Sequence, residues 1–410
     1  MRAILSAPGS RGDVNPMIAI GKCLLERGHE VVISLAEPYA EVAASQGLEV
    51  EPVISAERFV EALGDANVWK PIRGPVAIFR EIVNEFLPLH DQIIRKYHVA
   101  GETVLVAHPL DLASRIFRDA DPDTPMATVH LQPSLLRTAT DPPRLSPWWF
   151  EIRKPAWAVR ASYQLIDHVA VDPLLRGPVN VARRSLNLPP VRRVLHQWWL
   201  SPDRILAMYP DWYAPATREF CPRLVHCGFP LADNGGKEFD VPDDKPIVFT
   251  SGTAHHHCRE FFVKACEACE ILQRPGLLLS THDENFPPDL PPNVRRMAYA
   301  SFAELLPHCS AIVHHGGVGT TSQAIAAGIP QIIRPLAFDQ FDNAMRVERL
   351  GCGRWLRSDK YLTSTLRTIL SESSSHLKRE EIACRLQHSH AALTAAIEIE
   401  QLRHDQTLTH

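Results

Sequence analysis

Short apolar segments alternate with amphipathic segments along most of the chain, and this alternation restricts the fold more than any other feature. The apolar segments have the length of β-strands, and the amphipathic ones carry apolar residues at helical spacing. Strands that alternate with helices predict a parallel sheet covered on both faces. In the first half, the predicted strands are RAILSA, HEVVISLA, LEVEPV, ETVLVAH and PMATVHL. In the second half, they are KPIVFTSG, PGLLLST, VRRMAYA, SAIVHHGG and PQIIRPL.

The alternation runs twice, and an irregular stretch separates the two runs. That stretch, DWYAPATREFCPRLVHCGFPLADNGG, is rich in Pro, Gly and aromatic residues. A chain of 410 residues is long enough for two domains of ordinary size. The sequence therefore predicts the α/β class, with two doubly wound, Rossmann-like domains at 1–220 and 221–410. Helices are predicted at the end of the second domain.

Composition and charge exclude several classes of protein. Hydrophobic residues make up 45% of the chain and charged residues 22%, as in ordinary globular domains. The formal net charge of -4 argues against a nucleic-acid-binding protein, and no apolar run is long enough for a transmembrane helix. The opening MRAILSAPG predicts a strand and not a signal peptide. The nine cysteines follow no disulfide pattern, which predicts a cytoplasmic protein.

Two residue pairs have the spacing of metal ligands without the rest of a metal site. Cys266 and Cys269 lie inside a helical pattern with no second pair or histidine partner, so they are predicted to be packing thiols. Asp121 and Asp123 belong to the turn DPDTP and are interpreted as turn residues. No metal site is predicted.

Residues 142–204 interrupt the alternation with a segment that is both aromatic and basic. Its aromatic residues include Trp148, Trp149, Phe150, Trp157 and Tyr163. Between Glu151 and Arg204, nine Lys/Arg face four Asp/Glu residues, a positive excess of five (9 − 4). Such an insert can form an acceptor pocket or touch the inner face of the membrane. It can equally pack its aromatic rings into the domain and leave its arginines in water.

Three glycine turns follow predicted strands, at positions 9–13, 251–253 and 314–321. Ligands of open parallel sheets bind beyond the carboxyl ends of the strands, so these turns are the candidate sites. The first turn, GSRGD, lacks the G-x-G-x-x-G spacing of dinucleotide-binding proteins. Its RGD tripeptide lies at a strand end in a chain predicted to be cytoplasmic, which argues against an adhesion motif.

The turn HHGGVGTT is the most informative of the three. Its glycines let the backbone approach a ligand, and the helix that follows presents free N–H groups to a phosphate. His314 can add a hydrogen bond or a positive charge. The alternative is a tight structural turn with a buried histidine.

The segment HHGGVGTTSQAIAAGIPQIIRPLAFDQFDNAMRVERLGCG resembles the nucleotide-sugar signature of the GT-B glycosyltransferases of family 1. The opening GSRGDVNPMIAIGKCLLERGHEV resembles the first turn and helix of that family. The resemblance implies two domains facing a cleft, with the acceptor on 1–220 and a UDP- or dTDP-sugar donor on 221–410. The segments LGDANVWKP, QPSLL, QWWLSP, PDWYAPA and CGFPL resemble the catalytic rhamnosyltransferase subunits of rhamnolipid synthesis. That likeness implies a hexose of the rhamnose or glucose type and a hydrophobic, lipid-like acceptor.

The resemblance also implies which residues bind the donor. His314 matches a diphosphate contact, and Asp339 with Gln340 matches the pair that binds the sugar hydroxyls. The remaining donor-binding residues implied are Ser10, Arg11, Ser251, Gly252, Thr253, Tyr299, Gly316, Gly319 and Thr320. Phe302 and Ser322 replace residues that hold the nucleoside in plant relatives, so UDP and dTDP both remain open.

The implied reaction is an inverting transfer that uses neither a metal nor a cofactor. In family members with a GSRGD-like turn the base is the aspartate, here Asp13, and burial near the substrate would raise its pKa. Asn15 and Pro16 offer an N-cap and a first helical residue, which leaves Asp13 without a capping role. Two alternatives remain: a sugar-nucleotide epimerase or hydrolase of the same architecture, and a non-catalytic auxiliary subunit that binds sugar nucleotides.

Overall fold

The computed structural model describes residues 1–64, 68, 70, 73–147, 151–215, 223–231, 243–252, 258–372, 376–387 and 389–407. The chain divides into two compact units. The first comprises Met1–Pro143, Trp148–Pro230 and His390–His410. The second comprises Arg144–Pro147 and Leu231–Ser389.

Seven described strands form one parallel sheet in the first unit, in the order β3-β2-β1-β4-β5-β6-β7. They are Arg2–Ala7 (β1), Glu30–Ala36 (β2), Glu49–Ile54 (β3), Thr103–Ala107 (β4), Met126–His130 (β5), Arg204–Ala207 (β6) and Leu224–His226 (β7). The helices between them are Arg11–Glu26 (α1), Ala40–Ser45 (α2), Ala56–Gly64 (α3), Arg73–Glu81 (α4), Leu87–Tyr97 (α5), Leu112–Ala120 (α6), Ala156–Ile166 (α7) and Asp172–Ser185 (α8).

The second unit repeats this plan with six strands among its described residues, in the order β10-β9-β8-β11-β12-β13. They are Ile247–Thr250 (β8), Gly276–Leu279 (β9), Val294–Met297 (β10), Ala311–His314 (β11), Gln331–Ile333 (β12) and Gly353–Trp355 (β13). Its helices are Arg259–Leu272 (α9), Phe302–Leu305 (α10), Val318–Ala326 (α11), Gln340–Leu350 (α12), Leu362–Ser371 (α13) and His376–Cys384 (α14). The last helix of the chain, Ala391–Thr407 (α15), belongs to the first unit.

Both sheets reverse their strand order once, and the reversal sets where a ligand can bind. In the first unit the reversal falls between β1 and β4, and in the second between β8 and β11. A crevice opens beyond the carboxyl ends of the strands at such a switch point, because the helices that follow them lie on opposite faces. The turns after these four strands are therefore the places to look for a site in each unit.

The sheet of the second unit is buried on both faces, as its apolar strands predict. Alternate residues of β8 enter different hydrophobic clusters: Ile247 and Phe249 pack on one face, and Val248 on the other. Cys266 and Cys269 pack in the cluster on the first face, where burial raises the pKa of Cys269 to about 12. Both cysteines are packing thiols, as predicted.

Helix α1 begins five residues earlier than its sequence predicts. The N-cap is Ser10 and not Asn15, and Pro16 lies inside the helix. The error arose because Pro is favoured at the first helical position, yet here the pair Ser10 and Asp13 starts the helix further upstream.

The C-terminal helix packs against the first unit, whereas the sequence analysis placed all the C-terminal helices in the second domain. Glu400 on α15 accepts hydrogen bonds from Nε and Nη2 of Arg27, both at 2.7 Å, and lies 2.6 Å from Nε2 of His29. The predicted boundary between residues 220 and 221 lies outside the described residues and stays a prediction.

Within the part of the chain that the structure describes, none of the helices has the length and apolar character needed to cross a membrane. The same residues contain no cluster of three or more His, Cys, Asp or Glu side chains arranged to hold a metal ion.

Candidate active site

Asp13 lies in the first turn of α1, directly after β1 at the switch point of the first unit. Its Oδ2 atom accepts hydrogen bonds from the backbone N of Ser10 at 2.9 Å and from Oγ of Ser10 at 3.3 Å. A Cβ atom at Gly9 would overlap with that carboxylate, so the glycine makes room for it. Asp13 is thus a capping residue, contrary to the expectation that Asn15 leaves it free of that role.

His108 faces Asp13 from the end of β4, on the other side of the switch point. Its Nδ1 accepts a hydrogen bond from the backbone N of Leu110 at 3.2 Å, so Nε2 is the ring nitrogen that can donate toward Asp13. Nε2 lies 3.4 Å from Oδ1 of Asp13. The histidine side chain is 3% exposed and the aspartate side chain 23%, so the carboxylate is the member of the pair that solvent and substrate can reach.

The pKa of Asp13 is lowered, whereas the sequence analysis expected burial to raise it. Burial does act in that direction, but the contact with His108 and the hydrogen bonds from Ser10 outweigh it and hold the pKa below 3.8. Asp13 is therefore ionised at neutral pH. Its basicity toward a substrate comes from position and not from a raised pKa.

A buried polar network lies beneath this pair. Ser6 accepts a hydrogen bond from the backbone N of His108 at 3.1 Å and donates to Oδ2 of Asp111 at 2.7 Å. His90 places Nε2 2.9 Å from the same carboxylate oxygen and Nδ1 2.8 Å from Oγ of Ser34. All these side chains are 2% exposed or less. The network joins β1, β2, β4 and α5 and fixes the backbone that carries His108.

The switch point of the second unit lies between Gly252, after β8, and the turn after β11. His314 ends β11 and is fully buried. Its Nδ1 accepts a hydrogen bond from the backbone N of Gly316 at 3.1 Å, and its Nε2 lies 2.9 Å from Oε1 of Gln331. Burial lowers its pKa to about 4, so the ring is neutral. These contacts fit the alternative of a structural histidine, and a neutral ring offers no positive charge to a phosphate; the predicted diphosphate contact of His314 stays a prediction.

His315, the next residue, lies close to two glycines, Gly252 and Gly317. A Cβ atom at Gly252 would lie 2.6 Å from Cε1 of His315, and one at Gly317 would lie 2.6 Å from its Nε2. The imidazole therefore occupies space that a side chain at either glycine would fill. Gly252 also has a φ of +84°, which favours glycine on its own account.

Helix α11 starts beside His315, with Gly317 as its N-cap. The predicted phosphate-binding residues Gly319 and Thr320 lie in its first turn, where backbone N–H groups have no partner within the helix. Gly319 is exposed and Thr320 half-buried. This end of the helix can bind an anion.

The loop between β12 and α12 carries the predicted sugar-binding pair. Asp339 is half-buried, but Gln340 is only 4% exposed. The Oε1 atom of Gln340 accepts hydrogen bonds from the backbone N atoms of Leu336 and Ala337, at 2.7 and 3.0 Å. In this arrangement the Gln340 oxygen shapes the loop, and direct contacts of Asp339 and Gln340 with a sugar stay predictions.

Asn343 connects this loop to the glycine turn. Its Nδ2 donates to the backbone O of Gly316 at 2.8 Å and to Oδ2 of Asp339 at 2.7 Å. Asn343 is fully buried, one helical turn after Asp339. It holds the two loops of the second unit in a fixed arrangement.

The other predicted donor-binding residues lie near the expected sheet edge. Ser251 is buried directly after β8, and Tyr299 is half-buried beyond the end of β10, the edge strand. Ser10 and Arg11 are half-buried at the start of α1. Thr253 lies outside the described residues. No contact with a ligand tests these four placements, and they remain predictions.

Sequence reasoning missed His108, His315 and Asn343. The signal for His108 was a histidine at the end of the predicted strand ETVLVAH. The signal for His315 was the doublet HH: the first histidine ends a buried strand, so the second is the one that reaches the turn. Asn343 had no recognisable signal, because its role depends on the contact between two loops.

Known sequence families match both parts of the chain. Residues 3–107 match the glycosyltransferase family 28 N-terminal domain, and residues 278–402 match the erythromycin biosynthesis protein CIII-like C-terminal domain. The chain is 26% identical over 450 residues to O-mycaminosyltylonolide 6-deoxyallosyltransferase of Streptomyces fradiae, covering 100% of this chain and 99% of that protein. It is 29% identical over 380 residues to a sterol 3-beta-glucosyltransferase of Yarrowia lipolytica, covering 85% of this chain and 25% of that protein.

Solved glycosyltransferase structures share the fold over nearly the whole chain. The glycotransferase of kitacinnamycin superposes with a TM-score of 0.75 and 18% identity, covering 98% of each chain. Spinosyn rhamnosyltransferase complexed with thymidine diphosphate superposes with a TM-score of 0.66 and 18% identity, covering 98% of this chain and 100% of that one.

Two parallel-sheet units, each with its polar turns at a switch point, define the GT-B class of glycosyltransferases. The chain carries glycosyltransferase domains of two matched families and is a glycosyltransferase of the GT-B type that acts on a nucleotide sugar.

Proposed function

We propose that the protein transfers a hexose of the rhamnose or glucose type, with inversion, from a nucleoside diphosphate sugar to a hydroxyl group of a hydrophobic acceptor. The observation that carries the mechanism is the carboxylate of Asp13. It is ionised, partly exposed and held at a switch point by Ser10 and His108. A carboxylate fixed in this way can take the proton of an acceptor hydroxyl.

The chemical step follows from these residues. As the acceptor oxygen attacks the anomeric carbon, its proton passes to Asp13, and the bond from that carbon to the diphosphate breaks. Attack from the side opposite the leaving group inverts the anomeric centre. Charge then develops on the diphosphate, and the N-terminal end of α11 with His315 supports its stabilisation. In this scheme the reaction needs no metal ion.

The substrate class is proposed from the relatives. One relative is named a sterol glucosyltransferase and another a transferase acting on a tylonolide, and both acceptors are largely apolar. One structural neighbour is a rhamnosyltransferase with thymidine diphosphate bound. We propose a hydroxylated lipid or polycycle as the acceptor and a UDP- or dTDP-hexose as the donor.

A donor-by-acceptor screen read by mass spectrometry tests the proposal. UDP- and dTDP-hexoses are combined with hydroxy fatty acids and polycyclic alcohols, with and without a chelator. We expect an acceptor-dependent glycoside that the chelator does not reduce, with inverted anomeric configuration by NMR. Turnover of the donor without an acceptor would instead support an epimerase or hydrolase.

The Asp13→Asn variant tests the base. It keeps the size of the side chain and an oxygen for the Ser10 contacts, but it removes the charge. We expect transfer to fall by at least about a thousandfold while the affinity for the nucleoside diphosphate, measured by calorimetry, stays within about threefold. Ser45→Ala, which alters an exposed hydroxyl on α2, is the matched control and should transfer normally. Substantial transfer by Asp13→Asn would refute the assignment.

A further inference from the structure

Helix α7 presents an apolar row to solvent. Trp157 is 72% exposed, Leu165 64% and Val169 65%, and they follow one another along the helix with Ala161 between the first two. The helix continues through a π-helical turn, Asp167–Val171, into α8, so the row lies on one continuous helical segment. Single exposed apolar residues need no explanation, but several aligned on one helix do.

The exposed row is not the face with which the segment packs against the rest of its unit. The residues that pack inward are Val159, Val171, Leu175 and Val179, each 7% exposed or less. Val159 stands two positions from Trp157, about 200° around the helix. The segment therefore has one apolar face for its own unit and a second one that its own unit leaves uncovered.

The charges beside the exposed row have one sign. Residues 152–198 contain eight Lys and Arg residues but only two carboxylates, Asp167 and Asp172. Both carboxylates are turned inward: Asp167 is 0% exposed and pairs with Arg137, while Asp172 is 6% exposed and accepts from backbone N atoms of 193 and 194. Lys154, Arg176 and Arg184, in contrast, are exposed. Among residues 152–198, the exposed Lys, Arg, Asp and Glu side chains are therefore all basic.

We propose that this face, defined by Trp157, Leu165 and Val169 with Lys154, Arg176 and Arg184, binds the surface of an anionic lipid bilayer. A large aromatic ring and aliphatic side chains enter the boundary between head groups and acyl chains, while long basic side chains reach the phosphates. A protein partner of ordinary composition would need an acidic surface with a matching apolar groove, whereas an anionic bilayer supplies both properties. The face gives the enzyme access to acceptors dissolved in a membrane.

Vesicle flotation tests the proposal with the full chain. Vesicles of phosphatidylcholine are compared with vesicles containing 30% phosphatidylglycerol, about the fraction of anionic lipid that makes such surfaces strongly negative. We expect the protein to float with the anionic vesicles and not with the neutral ones, and to be released at high salt. The double variant Trp157→Ser/Leu165→Ser should bind at least about tenfold more weakly. The triple variant Lys154→Glu/Arg176→Glu/Arg184→Glu should lose binding by about a hundredfold or more.

Leu377→Ser is the matched control, since Leu377 is 75% exposed on α14 of the second unit. It should float like the unaltered protein. The proposal is overturned if the protein does not float with anionic vesicles. It is equally overturned if the double and the triple variant bind these vesicles as well as the control does. It is also overturned if sedimentation shows a dimer that Trp157→Ser/Leu165→Ser dissociates, because the face would then bind a second copy. Donor turnover with a water-soluble acceptor should be unchanged in every variant, which separates this result from the proposed function.

Discussion

At the scale of single residues, Asp13 has two roles that usually belong to different side chains. One carboxylate oxygen caps α1 through Ser10, and the other faces His108. The cap restricts the carboxylate to one orientation, and that orientation is what a general base needs. The structural contact thus prepares the residue for the chemical role and does not compete with it.

The pH dependence of transfer should show which member of the pair accepts the proton. Because the pKa of Asp13 lies below 3.8, the carboxylate stays ionised as the pH falls, and the rate is lost only when it becomes protonated. We expect kcat/KM to remain flat from about pH 8 down to about pH 5. A loss of rate already between pH 8 and pH 5 would contradict the assignment of Asp13 as the base.

The two neighbouring histidines of the second unit should respond differently to substitution. His314→Ala removes two buried hydrogen bonds, so we expect the free energy of unfolding to fall by about 2–4 kcal/mol in urea titrations. His315→Ala should change that free energy by less than about 1 kcal/mol but raise the donor KM at least about tenfold. A raised donor KM for His314→Ala, with a stability loss for His315→Ala instead, would place His314 at the donor site.

Residue identities were predictable from the sequence only where a motif fixed them. The assignment of Asp13 as a site residue stays a prediction, and its pKa was given the wrong direction because the contact with His108 joins residues ninety-five positions apart (108 − 13). His314 was chosen over His315 because the motif alone does not say which of two adjacent histidines the strand turns inward. Gln340 was assigned to a sugar, although its oxygen is used by its own loop.

At the scale of elements, the start of α1 depends on a glycine. Gly9→Ala places a methyl group against the Asp13 carboxylate, which must then leave its position. We expect transfer to fall by at least about tenfold with α1 still formed. Gly12→Ala is the matched control, because its Cβ would meet nothing closer than Oγ of Ser10 at 3.9 Å. Activity assays and circular dichroism of the two variants check this, and equal activities would contradict it.

Strands were predictable where they lie within the regular alternation of strand and helix. The strands β1 to β5 and β8 to β12 were all predicted, although β12 has only three residues. The strands β6 and β7 were missed because β6 follows the insert at 142–204 and β7 lies in the irregular stretch between the two runs, and β13, with the sequence GRW, has no apolar pattern. The start of α1 was misplaced because its cap is a contact across three residues, whereas Pro16 gives a strong but misleading local signal.

At the scale of the whole molecule, each unit buries a neutral histidine. Burial lowers the pKa of His130 to about 3 and that of His314 to about 4. The unfolded chain takes up protons below about pH 6.5 and the folded chain does not, so stability must fall as the pH drops from there toward the folded values. We expect a loss on the order of 3 kcal/mol per histidine between pH 7 and pH 4.

Urea unfolding at pH 7 and at pH 4 measures this loss. The ring nitrogens of His130 have no hydrogen-bond partner among the described residues, so His130→Phe should cost little at pH 7. It should also make the first unit less sensitive to acid. If the variant keeps the full pH dependence of the unaltered protein, His130 does not contribute to it.

The return of α15 to the first unit has a consequence for how the protein is made. The first unit consists of three separate stretches of chain, and its last stretch follows the whole of the second unit. During synthesis, the first unit therefore cannot complete its fold until the whole of the second unit has been made. Until then, the surface of α1 that binds α15 stays uncovered. Glu400, which binds Arg27 and His29, is synthesised after the second unit. The unit whose chain is synthesised first is therefore the one that completes its fold last.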